Sequence, residues 1–201
     1  FLLTSSGAVY GPQPTSLDKI PEVYLGRSDP LLPSSAYGLG KSASEHLCAL
    51  YRDTYDLQFV IARCFAFVGR DLPLTAHYAM GNFINDALYG IKINVGGDGT
   101  PIRSYMNQSD LARWLLCILD KGTSGTAYNV GSDQGVSISD LAYLVRDTLS
   151  PSKSVVFQNA AATFQGRNVY LPNISAAKKG LNLEITISLR ESIEEFKRVK
   201  M

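Results

Sequence analysis

The sequence predicts an α/β layer followed by a smaller α+β lobe. Three observations carry this. The chain opens as strand, helix, strand, with a loop at 11–35 after the first. Mixed short elements follow. The 201 residues, 45% of them hydrophobic, suffice for one sizeable core or for one domain with part of another.

Phe1 to Thr4 is an apolar run ending in small residues, and reads as a buried strand whose start is missing. A domain rarely begins inside its own core strand, so the chain is expected to be a fragment. Residues 11–35 are rich in Pro, Ser and Asp and read as loop. Tyr37, Ala43, Leu47, Leu50 and Tyr51 recur at helical spacing over 36–54, and are expected to form that helix's core stripe. Gln58 to Arg63 is β-branched and aromatic, hence a strand. After Pro73 a helix is expected from Ala76 to Tyr89, closed by Gly90. Ile91 to Val95 reads as a strand and Gly96-Gly97-Asp98-Gly99 as a tight turn. Ser109 is expected to cap a helix carrying Leu111, Trp114, Leu115, Ile118 and Leu119. Thr126 to Val130 is a strand. Ser139 is expected to cap the next helix, with Leu141, Leu144 and Val145 inward. Ser188 and Glu191 have capping-box spacing before Leu189, Ile193 and Phe196.

Composition excludes several classes. The net charge of +1 is no phosphate-backbone footprint, so nucleic acid is not an expected partner. No apolar run reaches the about 18 residues of a membrane span, and Phe1-Leu2-Leu3 lacks the basic flank of a signal peptide. Cys48, Cys64 and Cys117 are odd in number and widely spaced. They read as buried free thiols in a reducing cytoplasm. His46 and His77 stand far apart without a ligand pattern, so no metal is expected.

Four pieces of sequence bear chemistry. Tyr37-Gly38-Leu39-Gly40-Lys41 is a Y-x-x-x-K. On a helix its ends share a face, and a lysine ammonium beside a phenol favours the phenolate. Such a tyrosine can take a proton from an alcohol or return it to a carbonyl. Taken alone, the motif is equally an ordinary amphipathic helix start. Thr4-Ser5-Ser6-Gly7-Ala8-Val9-Tyr10-Gly11 puts hydroxyls at a strand end, where open α/β sheets hold ligands. Alone it is a Ser/Gly turn. Gly97 to Tyr105 delivers Arg103, whose guanidinium suits a diphosphate; alone it is a hairpin with a surface arginine. Tyr128-Asn129-Val130-Gly131 is a strand end carrying an amide. Gly38-Leu39-Gly40-Lys41-Ser42 looks like a phosphate loop, but the first required glycine falls on Ser35.

In this order the four pieces resemble the extended short-chain dehydrogenase/reductases, specifically the NAD-dependent epimerase/dehydratase group acting on nucleotide sugars. Ala62-Arg63-Cys64-Phe65 and the stretch from Ser175 to Leu183 join the resemblance, which runs from Phe1 to about Phe196. It implies the C-terminal part of a Rossmann-like doubly wound parallel sheet plus a smaller α+β substrate-binding lobe. Residues 1–70 would be the sheet portion, without its first strands and Gly-rich fingerprint. Residues 71–201 would be mainly the nucleotide-sugar lobe, with some segments returning to the sheet.

The resemblance also implies roles. NAD, with NADP as the alternative, takes a hydride from a sugar carbon, usually C4. Tyr37 is the acid/base, Lys41 holds the cofactor ribose, and Ser6 hydrogen-bonds the reacting oxygen. Phe65 lies on the nicotinamide side. Arg103 and Asn129 match positions at the nucleotide-sugar diphosphate. The full-length protein is expected to be a homodimer pairing through the Y-x-x-x-K helix, where Leu39, Cys48 and Tyr55 fall beyond the core stripe. Without the fingerprint, the fragment is expected to bind NAD weakly and not to turn over.

Two departures matter. In dTDP-glucose 4,6-dehydratases an Asp-Glu pair follows the catalytic hydroxyl and performs the elimination. Here those places are Gly7 and Ala8, which argues for epimerase or plain oxidoreductase chemistry, with a 4,6-dehydratase lacking that pair or a non-catalytic nucleotide-binding member as the alternatives. Ala66 stands where the family commonly carries an asparagine near substrate.

Overall fold

Three strands far apart in sequence form one parallel sheet in the order β1 (Leu2–Ser6), β2 (Val60–Cys64), β7 (Thr126–Val130). The computed structural model describes residues 1–26, 28–74, 76, 78–158 and 168–200. His77 therefore lies outside the described residues. The register pairs Leu2 with Val60, Ser6 with Cys64, and Arg63 with Asn129. Successive side chains alternate between faces. Leu3, Ile61 and Ala127 cluster with Cys48 of α1 (Ala36–Tyr55). Val60, Ala62, Tyr128 and Val130 pack with Trp114 and Ile118 of α3 (Gln108–Lys121) and Ala177 of α5 (Ser175–Leu181). The sheet thus carries helices on both faces, an α/β layer.

A second core forms away from this sheet. There α2 (Ala79–Tyr89) contributes Met80, Phe83, Ile84, Ala87 and Leu88, and β4 (Ile93–Gly96) contributes Ile93 and Val95. Leu141, Ala142 and Val145 come from α4 (Ile138–Leu149), and Ile193 from α6 (Leu189–Glu194). β4 pairs in parallel with β9 (Val155–Gln158). Two further short pairs are present. β3 (Phe67–Val68) runs parallel to β6 (Met106–Asn107), and β5 (Ile102–Arg103) runs antiparallel to β8 (Val136–Ser137).

Three expectations change. The α1 stripe is inverted: Tyr37, Leu47, Leu50 and Tyr51 are exposed, while Gly38 and Cys48 are buried. The reason is close approach. A Cβ at Gly38 would collide with the Ala8 carbonyl oxygen, so only small residues fit the inner face. Cys48, expected beyond the core stripe on a pairing face, belongs to this inner side. The cap of α3 is Asn107, whose side chain accepts from the Ser109 N–H at 2.7 Å; Ser109 lies inside the helix. The cap of α4 is Ser137, accepting from the Asp140 N–H at 2.9 Å, two residues before the expected Ser139. The Ser188–Glu191 capping box is present.

Candidate active site

The site forms where β1 ends. Ser6 is the last residue of that strand and caps a 3-10 turn at Gly7–Tyr10, its Oγ accepting from the Ala8 N–H at 3.2 Å. That uses a lone pair and leaves the hydroxyl proton without an acceptor among the described residues. The first turns of α1 cross this strand end. Lys41 Nζ donates to the Thr4 carbonyl at 2.9 Å, two residues before Ser6. Gly38 rests on Ala8, two residues after it. Ser6 is therefore bracketed by the turn that carries Tyr37. The Lys41 ammonium stands 5.9 Å from the Tyr37 ring centroid. Tyr37 is 61% exposed, and its hydroxyl has no protein partner among the described residues. Lys41 and the α1 turn bearing Tyr37 thus lie against the strand end that carries Ser6.

An aromatic wall rises beside them. Phe65 packs on Tyr170 with centroids 4.7 Å apart and on Tyr10 at 6.4 Å. Both the Tyr170 hydroxyl and the Phe65 ring edge crowd the place where a Gly7 side chain would project, so Gly7 is required there by space alone. Tyr170 feels the Tyr37 and Arg103 side chains. Burial raises its pKa, the nearby Tyr10 adds to the rise, and Arg103 partly offsets it. This wall links the Tyr37 corner to Arg103.

Arg103 is held by Asn168, donating to its backbone oxygen at 3.1 Å and to its side-chain oxygen at 2.9 Å. Burial lowers the Arg103 pKa, and the phenols of Tyr105 and Tyr170 offset part of that. Burial in turn pushes Tyr105 up to about 12. No carboxylate pairs with Arg103 among the described residues.

Asn129 departs from the expected diphosphate contact. It is fully buried, its Oδ1 accepts from Tyr10 at 2.8 Å, and its Nδ2 donates to the Ile20 and Asn173 carbonyls at 2.9 and 3.0 Å. Its amide is spent within the protein, so Asn129 ties β7 to the wall instead of meeting a ligand. The period-2 alternation explains this: Ser5, Arg63 and Asn129 share the sheet face that α1 covers.

Sequence reasoning singled out neither Glu45 nor Tyr170. Glu45 could have been found, because it lies four residues past Lys41 on the same helical stripe. Its carboxylate takes the Arg63 fork at 2.7 and 3.0 Å and the Ser5 hydroxyl at 2.5 Å. Tyr170 carries no local signal, since it reaches the site only through the fold.

The family model for the NAD dependent epimerase/dehydratase family matches residues 1–131. The chain belongs to that family. Within it, the chain is 32% identical over 193 residues to UDP-glucuronic acid decarboxylase 1 of Arabidopsis thaliana, covering 96% of this chain and 43% of that protein. It is 30% identical to UDP-glucuronic acid decarboxylase 3 of the same plant, covering 55% of that protein. The chain thus spans about half the length of the relatives it matches. Among solved structures, UDP-glucose 4-epimerase of Thermotoga maritima superposes with a TM-score of 0.86 at 21% identity, over 99% of this chain and 63% of that one. UDP-glucuronic acid 4-epimerase of Bacillus cereus, solved with NAD, gives 0.81 at 25% identity, over all of this chain and 62% of that one. For this family member the sheet is accordingly the Rossmann-type sheet of those epimerases.

Proposed function

We propose that the chain carries the proton-transfer half of an NAD-dependent nucleotide-sugar epimerase acting at the sugar C4. One observation supports the reading: Lys41, one helical turn after Tyr37, bonds the β1 backbone two residues before Ser6, and Ser6 is followed by Gly7 and Ala8, which cannot transfer protons. The donor set suits a nicotinamide dinucleotide. Lys41 spends one of its three N–H groups on Thr4, leaving two for ribose hydroxyls. Bound there, NAD would accept a hydride from the sugar carbon and return it.

The chain's own residues do the rest. Tyr37 takes the proton from the sugar hydroxyl and gives it back after the intermediate keto sugar has presented its other face. Ser6, its lone pair committed to Ala8, donates its proton to the same oxygen and holds it as it becomes a carbonyl. Arg103, desolvated and without a carboxylate partner among the described residues, meets the diphosphate. Phe65 and Tyr170 exclude water from the reacting carbon. The cofactor is NAD, with NADPH the alternative, since similar structures hold one or the other. Free cysteines favour the reducing cytoplasm. Among the described residues no helix is long and apolar enough to cross a membrane.

A second reading is decarboxylation of a nucleotide-linked uronic acid, favoured by the names of the relatives. It shares the first step, because oxidation at C4 turns a uronate into a β-keto acid that can lose carbon dioxide. The test incubates the full-length protein with UDP-glucose, UDP-glucuronic acid and dTDP-glucose and follows the sugar protons by NMR. C4 inversion supports the epimerase; carbon dioxide release from the uronate supports the second reading. Tyr37→Phe should slow either reaction on the order of 100- to 10,000-fold. Unchanged turnover in that variant overturns both.

A further inference from the structure

We propose that Glu45 and Arg63 are positioning residues for the Tyr37–Lys41 pair: their ion pair sets the rotation of α1 about its axis and so the reach of Tyr37 toward Ser6. The proposal rests on the epimerase reading for its kinetic consequence, though not for its structural one.

Four observations converge. Tyr37, Lys41 and Glu45 recur every four residues, so they descend one stripe of the helix. Glu45 is the lowest of the three, and it is anchored by a two-pronged bond to Arg63, with Arg63 Nη2 at 2.7 Å and Nε at 3.0 Å. Both side chains are mostly buried, at 17% exposure for Arg63 and 12% for Glu45. A fork on a carboxylate fixes orientation as well as distance.

The inner face of α1 supplies little else to fix its rotation. Its fully buried residues are Gly38 and Cys48, while Tyr37, Leu47, Leu50, Tyr51 and Tyr55 are exposed. A helix that rests on glycine and cysteine lacks the interdigitated side chains that normally lock one helix face. The polar anchor takes that role.

The same carboxylate also grips the strand that presents Ser6. Glu45 Oε1 accepts from Ser5 Oγ at 2.5 Å and from Arg63 Nε, so the base-bearing helix and the hydroxyl-bearing strand share one acceptor. The anchor is itself held. Arg63 Nη1 donates to the Tyr10 hydroxyl at 2.9 Å and to the Glu22 carbonyl at 3.1 Å, and its guanidinium lies 4.9 Å from the Tyr10 ring centroid. Tyr10 passes its proton side to Asn129. Burial opposes the Arg63 charge, but the hydrogen bonds to Glu45 and Tyr10 outweigh it and raise its pKa. The cation stays charged throughout the working pH range.

The test uses the full-length protein. Removing one partner of a buried pair leaves a stranded charge, so the informative variant is the double Glu45→Met/Arg63→Met, which removes both. Its expected signature is a kcat lowered on the order of 100-fold with KM for the nucleotide sugar changed little, and a melting temperature near wild type. Ser5→Ala, a milder lesion, should lower kcat several-fold in the same sense. Hydrogen exchange of residues 36–42 is read in parallel and should quicken in both variants. Wild-type kcat in a folded double variant, with exchange over 36–42 unchanged, overturns the proposal. If the double variant does not fold, Ser5→Ala decides by the same two readouts. If wild type turns over no nucleotide sugar, the epimerase reading fails. Exchange then decides alone: faster exchange confined to 36–42 upholds the positioning role, and unchanged exchange ends it.

Discussion

Asp110 is 1% exposed and accepts from the Thr186 N–H at 2.8 Å, the Thr186 hydroxyl at 2.6 Å, the Ile187 N–H at 3.1 Å and Arg113 at 2.6 Å. Burial alone would raise its pKa, but these hydrogen bonds more than offset that and lower it. A depressed carboxylate stabilises the fold above its unfolded pKa of about 4, and that contribution is lost as pH falls through the folded value. Arg113 is 45% exposed, so most of the effect belongs to the Thr186 and Ile187 bonds. Asp110→Asn should therefore cost about 1–3 kcal/mol at pH 7 by denaturant melt. The gap from wild type should narrow toward pH 3; a gap constant with pH would contradict the charge-based account. Gly38 is tested more simply. Gly38→Ala forces α1 away from the Ala8 carbonyl, a backbone atom that cannot rotate aside. It should destabilise by about 1–3 kcal/mol and reduce turnover more than it reduces nucleotide-sugar binding.

Elements were legible where one residue type decides them. The Thr126–Val130 strand and the Ser188–Glu191 box were readable because β-branched spacing and reciprocal capping are local. Caps inside Ser-rich stretches were not. Ser137 and Ser139 are equal by composition, and only the β5–β8 pairing, which holds Ser137 against Ile102, selects the first. Ser137→Ala should cost about 1 kcal/mol and Ser139→Ala only a few tenths, by thermal melt of the two variants; the reverse order would place the cap elsewhere. The α1 stripe misled for a different reason. Periodicity finds the apolar face but not which way it looks, and here a close helix–sheet approach reserves the inner face for Gly38 and Cys48. At the candidate site, the sequence placed Ser6 at a strand end and Tyr37 and Lys41 on one helix, and both elements are present. Asn129 was misplaced because an amide at a strand end looks the same whether it faces a ligand or a carbonyl.

Across the whole molecule, the outward face of α1 asks for a cover. Leu47, Leu50, Tyr51 and Tyr55 are all exposed along it. Pairing of two copies through α1 is the expected arrangement of the full-length protein. Leu47→Glu with Tyr51→Glu should shift it to monomer in sedimentation, and a monomeric wild type at micromolar concentration would remove that arrangement. One tie reaches further still. Ile20, fully buried, bridges to Pro172, donating its N–H to Leu171 at 2.8 Å and accepting from the Asn173 N–H at 2.8 Å. The loop after β1 is thus sewn to a segment some three-quarters of the chain away. Contacts so distant lose loop-closure entropy before any contact compensates, and they slow folding. On a ribosome, the loop beside the Ser6 strand must wait for the segment around Pro172 to emerge. Chains halted before that point should remain open to protease between residues 11 and 35, however well their central strands have paired.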